Sequence, residues 1–318
     1  MFLETIKTTF IGVGQGFILG IIGYILVKRG FLGKEGLTAL SRLTLDIFLP
    51  LLILTRLLRD FSFQAYAVWW KLPLLSIAIT LAGLAAGYVF SVFFRERRER
   101  IQFVNLIAFQ NSGYLPLVLV ASLLSGRALD TMLIYLFLFL LGFNLVMFSV
   151  GVYLLTCDKK CPFNYWRLFN PPVAVTLLGL ALIYLGWQQF VPHALLKPLA
   201  AAGDCTVPLS MLVVGGNVAA IHFGKIRIKA MSLMVFVKLL FLPLAGITLV
   251  SLLQLPLALS FLIVLQLAMP PATNLSMIIS QYEKDDVIIS EGVFIGHLAC
   301  LVTLPLILSL LAMVRGMP

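Results

Sequence analysis

The sequence predicts an all-α integral membrane protein: ten transmembrane helices in two inverted five-helix repeats, with the fourth and ninth helices broken where they cross. Three observations predict it. The 318 residues are 61% hydrophobic and 11% charged, with a mean hydropathy of +1.06, whereas a soluble chain carries about 25% charged residues. Ten apolar segments each approach the ~20 residues that a crossing needs. Two of them, in matching positions of the two halves, are interrupted by proline and small polar residues. Lipid cannot hydrogen-bond a broken backbone, so such breaks persist only where neighbouring protein or a wet cavity satisfies the freed groups.

The ten spans are expected at about 10–27, 38–58, 70–94, 101–123, 129–156, 171–190, 203–221, 230–253, 258–280 and 288–313. The first run, Phe10 to Val27, is followed by no small-residue cleavage pattern and reads as the first transmembrane helix. Loops are short. The longest, Cys157 to Asn170, is polar and aromatic and lies at the midpoint. It divides the chain into a first repeat (1–156), a cytoplasmic inter-repeat loop (157–170) and a second repeat (171–318).

Orientation follows from the basic residues. The loops after the odd-numbered spans carry fourteen Lys and Arg, against seven in the tails, the remaining loops and the span ends beside them, Arg56 and Lys71 included. The positive-inside rule therefore places the odd loops in the cytoplasm and both termini outside. Arg95-Glu96-Arg97-Arg98-Glu99-Arg100 is the strongest anchor. The net charge of +10 is thereby explained by orientation in a lipid bilayer, and no nucleic-acid partner is expected.

The halves echo each other in order. Asp46 to Pro50 in span two and Asp204 to Pro208 in span seven both read Asp-x3-Pro. Lys71-Leu72-Pro73 in span three is matched by Lys238 and Pro243 in span eight. Pro50 and Pro116 are 66 residues apart, and Pro208 and Pro271 are 63 apart. Five crossings per half is an odd number, so the second half enters from the opposite side, which is an inverted repeat.

The first break is Gln110-Asn111-Ser112-Gly113-Tyr114-Leu115-Pro116, and the second is Met269-Pro270-Pro271-Ala272-Thr273-Asn274. Glycine permits unusual backbone angles, and proline removes a donor and frees a carbonyl one turn earlier. Half-helices starting at such breaks aim their N-terminal amides inward, where they attract anions. One break per half is the sequence pointer to the substrate site of a secondary transporter. The expected substrate-binding set is Gln110, Asn111, Ser112, Gly113, Pro116, Pro270, Pro271, Thr273 and Asn274. A proline kink packed against neighbouring helices is the alternative for either break taken alone.

Other polar residues fall inside the spans. Asp46 lies mid-span, where a carboxylate costs about 2.5–3.5 kcal/mol on insertion scales. It reads either as a titrating group facing the cavity or as the partner of Arg42, one turn earlier. Asp204 reads as the N-cap of the seventh helix. Lys238 reads as snorkelling to the interface or attracting an anion. Asn217, after Gly215-Gly216, is a candidate for the cavity wall. Asp46, Lys238 and Asn217 thus form the expected set for coupling or substrate sensing. Asn105, Asn144 and Gln266 read as interhelical hydrogen-bonding groups, His297 as packed, and Glu291 as reaching water.

Enzyme chemistry is not expected. There is no His-Glu-x2-His, no G-x-S-x-G and no P-loop, and Asp285-Asp286 is a lone acidic pair. Cys157 and Cys161, with Asp158-Lys159-Lys160 between them, cannot complete a tetrahedral metal site. Cys205 and Cys300 stand apart. No metal and no cofactor are expected, so uphill movement of a substrate would draw on an ion gradient or the membrane potential.

The same residues resemble the auxin efflux carrier family, which includes plant auxin exporters of the PIN type and bacterial malonate or malate carriers. The resemblance is carried by Asn170-Pro171-Pro172 with Leu178-Gly179, by Thr206-Val207-Pro208-Leu209-Ser210-Met211 with Gly215, and by Gln110 to Pro116. It is also carried by Met269 to Asn274 with Gly292-Val293-Phe294 and Leu304-Pro305-Leu306. It implies a fold similar to bile-acid symporters and sodium/proton antiporters. In that fold a mobile transport domain (helices 3–5 and 8–10) works against a support domain (helices 1, 2, 6 and 7), often as a homodimer. It also implies that Asn111 and the Pro116 and Pro271 regions line a carboxylate site. Two departures stand out. Many members have an amide where Asp46 stands, and the long cytoplasmic loop of the larger plant carriers is missing. The expected protein is a carrier of small organic anions in the inner or plasma membrane. A Na⁺- or H⁺-coupled symporter or antiporter of the same fold, with acidic residues as cation ligands, is the alternative.

Overall fold

The computed structural model describes residues 2–156, 168–221, 227–276 and 287–316. The expectations for Cys157, Cys161, most of the inter-repeat loop and Asp285-Asp286 fall outside the described residues. Those residues are helical with no named strand. Seven helices are long and apolar enough to cross a membrane: Thr9–Lys28, Lys34–Asp60, Lys71–Phe93, Gly126–Leu155, His193–Ala220, Ile228–Leu252 and Ile288–Arg315. Among the described residues three shorter apolar helices, Tyr114–Leu123, Pro171–Tyr184 and Leu257–Ala268, accompany them. Two of these three flank the sequence breaks, and a helix cut in two falls below the ~20 residues of a full crossing.

In chain order the helices are α1 (Phe2–Lys28), α2 (Lys34–Leu43), α3 (Leu49–Asp60), α4 (Lys71–Phe90), α5 (Arg97–Ala108), α6 (Tyr114–Leu123), α7 (Gly126–Val146) and α8 (Val152–Thr156). They continue as α9 (Pro171–Tyr184), α10 (His193–Asp204), α11 (Thr206–Ala220), α12 (Ile228–Val235), α13 (Leu242–Leu252), α14 (Leu257–Ala268) and α15 (Val287–Arg315).

Several joins are wide π turns rather than loops. One, Thr44–Phe48, links α2 to α3, and another, Phe236–Phe241, links α12 to α13. Each comes just before a proline at the start of the next helix, Pro50 and Pro243. A proline ring clashes with the carbonyl four residues back. Those carbonyls belong to Asp46 and Leu239, and both lie inside the widened turns. The wide turn relieves the clash without breaking the span. Its by-product is that Asp46 and Lys238 each sit on a bulge.

The seventh span starts earlier than expected. Asp204 closes α10, and Cys205 has helical dihedrals that run the chain straight into α11. Asp204 therefore caps nothing. Its Oδ1 accepts from Arg56 Nη2 at 3.3 Å, and Arg56 Nη1 also donates to Asp130 Oδ1 at 2.9 Å. This cluster ties α3 to α7 and α10. The sixth span ends at Tyr184, short of residue 190.

α1 packs on α11 and α15, α4 on α5 and α7, and α3 on α9 and α10. The α1–α11 approach is so close that a Cβ at Gly215 would collide with the Gly20 carbonyl, the small-residue contact typical of helices in lipid. Large apolar side chains such as Ile21, Tyr88 and Leu252 lie exposed on the outer faces. Water would drive such a surface to associate.

Candidate functional site

The two breaks meet. After α5 the chain runs extended from Phe109, and α6 begins at Tyr114. After α14 it runs extended from Met269 and resumes a helical turn at Asn274. The extended pieces pair as an isolated antiparallel bridge in which Gln110 faces Pro271. Asn111 N–H donates to Pro270 O at 2.8 Å, and Ala272 N–H donates to Phe109 O at 2.9 Å. Both hydrogen bonds flank the Gln110–Pro271 pair, so Pro271 occupies a position whose amide the ladder does not use. Pro270 contributes only its carbonyl. Two consecutive prolines, ruinous inside a helix, cost this bridge no donor. They rule out the continuous helix and leave the extended pairing as the way to satisfy the freed groups.

Side chains reinforce the crossing. Asn111 Oδ1 accepts from Leu115 N–H at 3.4 Å, in the first turn of α6. Asn111 Nδ2 faces His297 Nε2 at 3.5 Å, and His297 Nδ1 lies 2.7 Å from Val293 O. A carbonyl only accepts, so Nδ1 carries the proton and Nε2 is left as acceptor for the Asn111 amide. Gln266 Nε2 donates to Ser112 O at 3.4 Å. The second break is seated on α15 through Gly296, where a Cβ would lie 2.6 Å from Pro271 Cδ and 3.5 Å from Pro270 Cβ.

A cavity of about 140 Å³ opens beside the bridge. A water occupies about 30 Å³ of liquid, so this is room for a small molecule, well below the ~300 Å³ of a drug-sized site. Gln110, Asn111, Ser112, Gly113, Thr273, Asn274 and Asp46 all line it. These seven residues of the sequence set come together from the π turn ahead of α3 and from the two breaks. Pro270 and Pro271 form the bridge and do not line the cavity. Pro116 is buried in the first turn of α6. Asn217 lies on α11, away from the lining, with its Nδ2 unpaired among the described residues.

Three expectations are corrected here. Lys238 neither snorkels nor lines the cavity. It is buried behind the first break, with its Nζ donating to Ile107 O at 2.8 Å and to Gln110 Oε1 at 3.4 Å. Asp46 makes no ion pair with Arg42; both are exposed, and Asp46 stands at the cavity. Glu291 is buried rather than wet, and its Oε2 accepts from Arg227 N–H at 3.2 Å, ahead of α12. Of the intramembrane amides, Gln266 joins α14 to the first break, whereas Asn105 bonds the Ile101 carbonyl of its own helix at 2.8 Å.

Sequence reasoning missed Tyr114, Asn144 and Asn170 as lining residues, and His297 as a partner of Asn111. Asn170 had a readable signal. Asn-Pro-Pro is an N-cap followed by proline at the first helical position, and Asn170 Oδ1 accepts from Val173 N–H at 3.1 Å. Asn170, Pro171 and Pro172 line the cavity, so α9 presents its N-terminus there, as α6 does. Helix N-termini carry roughly half a positive charge. Among the described residues the only formally charged lining side chain is Asp46.

A family model described as "Membrane transport protein" matches residues 10–163 and 161–308. An uncharacterized transporter of Methanothermobacter thermautotrophicus is 26% identical over 301 residues, which is 91% of this chain and 94% of that protein. An uncharacterized transporter of Schizosaccharomyces pombe is 30% identical over 107 residues, 33% of this chain and 24% of its own length. Protein PIN-LIKES 6 of Arabidopsis thaliana is 27% identical over 124 residues, 38% of this chain and 29% of its own length.

Proposed function

The chain belongs to the auxin efflux carrier family of membrane transport proteins, and on that premise we propose that it is a secondary transporter of small organic anions working by alternating access. The family is one of transporters rather than enzymes. The observation that carries the substrate class is the cavity beside the bridge, where two helix N-termini and uncharged donors converge on a space for a small molecule. Monocarboxylates or dicarboxylates, auxin-like or smaller, fit that chemistry.

In this reading Gln110, Asn111, Ser112, Gly113, Thr273 and Asn274 hold the carboxylate, and the Pro116, Pro270 and Pro271 backbone keeps the crossing open. The chain crosses ten times as two inverted repeats, 1–156 and 171–318, joined by the loop 157–170. Helices 3–5 and 8–10 move against a support formed by helices 1, 2, 6 and 7, which also forms a homodimer. The protein resides in the inner or plasma membrane with both termini outside. Support comes from the correspondence of the described helices with the ten expected spans and from the crossing of the fourth with the ninth.

A second reading is favoured by Asp46, exposed at the cavity and unpaired with Arg42. A carboxylate there suits a Na⁺- or H⁺-coupled symporter or antiporter of the same fold. Thermal-shift measurements against a carboxylate panel test the first reading, because a ligand of the folded state raises its apparent stability. A panel with no stabilising carboxylate, together with flux that follows a Na⁺ or pH gradient, would replace it with the second.

A further inference from the structure

Lys238 does not line the cavity, yet it is placed to decide what the cavity accepts. Its side chain is 1% exposed. Among the described residues no carboxylate pairs with it, and its Nζ donates to Ile107 O and Gln110 Oε1. A buried ammonium is expensive unless opposite charge and hydrogen bonds compensate it. Part of the compensation is the end of α5. Ile107 is its penultimate residue, and the last carbonyls of a helix are orphaned and partly negative. No formal negative charge completes the set.

The contact with Gln110 has a direction. A primary amide has an accepting oxygen and a donating nitrogen, whereas an ammonium only donates. Lys238 therefore holds the Gln110 oxygen toward itself and turns Nε2 away. Gln110 is itself 1% exposed and lines the cavity, and its Nε2 has no partner among the described residues. A buried amide with idle donors is costly, and the space beside it is where a partner would come from.

We propose that Lys238 is the positioning residue that makes the site anion-selective, holding the Gln110 oxygen so that its unpartnered amide nitrogen, buried beside the cavity, is left for the carboxylate of the transported anion, which is the missing counter-charge. This rests on the organic-anion reading above and deepens it, because neutral isosteres of the cargo are thereby rejected. No bond is made or broken. The ammonium acts through one amide and through its field.

The test has two arms on the detergent-purified full chain. The first needs no ligand. Gln110→Glu puts a carboxylate beside Nζ, so it leaves the Tm unchanged or raises it in the native background and lowers it in a Lys238→Gln background. Lys238→Gln retains a donating group and removes the charge. Lys238→Met serves both arms if that variant does not purify. The second arm measures thermal shifts with acetate, malonate and indole-3-acetate against acetamide, malonamide and indole-3-acetamide. The native protein prefers at least one acid over its amide by tenfold or more, and K238Q narrows that ratio at least tenfold. A native protein that none of the acids stabilises overturns the anion assignment together with the organic-anion reading it rests on. A protein that is stabilised, but whose two substitutions act additively or whose acid-to-amide ratio survives K238Q, overturns the role of Lys238 alone.

Discussion

Asn111 and His297, 186 residues apart in sequence, meet amide nitrogen to imidazole nitrogen at 3.5 Å, and both are buried. The contact ties the first break to α15, whose Gly296 seats the second. Asn111→Ala would leave the imidazole acceptor and the Leu115 N–H without a partner. It should cost about 1–3 kcal/mol of stability, read as a lowered Tm, and reduce uptake of the cognate anion into proteoliposomes severely. Unchanged uptake and affinity would remove Asn111 from the site.

His297→Leu removes the acceptor but keeps the volume. We expect weakened apparent affinity with little change in maximal rate, because the amide of Asn111 loses its orientation rather than its presence. His297→Gln restores an acceptor and should recover part of the affinity. Equal behaviour of the Leu and Gln variants would show that the imidazole only fills space.

Gly296→Ala adds one methyl against a proline ring that has no flexible end to move aside. Overpacking of this kind costs typically 1–3 kcal/mol. Thermal unfolding should register that loss, and uptake should fall with it. Gly14→Ala, where the added carbon meets nothing within 4 Å, is the matched control and should leave both unchanged.

Asp130→Asn breaks the ion pair joining α3 to α7. The Arg56 and Asp130 side chains are 18% and 34% exposed, so screening limits the contribution to roughly 1 kcal/mol or less. The Tm difference from the native protein should shrink as salt is raised from 0.05 to about 0.5 M, over which the screening length falls severalfold.

Asp46→Asn changes an exposed, unpaired carboxylate, so stability should stay within about 0.5 kcal/mol. If the carboxylate carries coupling, uptake stimulated by an imposed pH gradient falls in this variant to the level seen without a gradient. Stimulation that survives the substitution assigns coupling elsewhere.

The breaks were legible because proline and small polar residues have no place in a lipid-facing helix. Their register was not. Which residue of one break faces which residue of the other depends on α15 and on main-chain pairing between segments some 160 residues apart, and local pattern carries neither. Lys238 and Asp46 were recognisable as anomalies, but not their directions. Each sits on a π turn, and an extra residue in a turn rotates everything after it away from a 3.6-residue period. Asp204 looked like a cap because it follows Gly203 and precedes a proline, and only the nearby Arg56 reveals its partner. Asn170 shows the converse, since its capping pattern was readable while the convergence of its helix on the cavity was not.

The main-chain part of the joint between the two halves is two peptide hydrogen bonds beside a pair of prolines, and neither hydrogen bond uses a side-chain atom. Scaffold and selectivity are therefore inherited separately. On the proposed site, substitutions at Gln110, Ser112, Thr273 or Asn274 should change the cargo while leaving those two peptide hydrogen bonds in place. One backbone solution can then serve carriers of quite different molecules, and fold similarity alone is a poor guide to cargo.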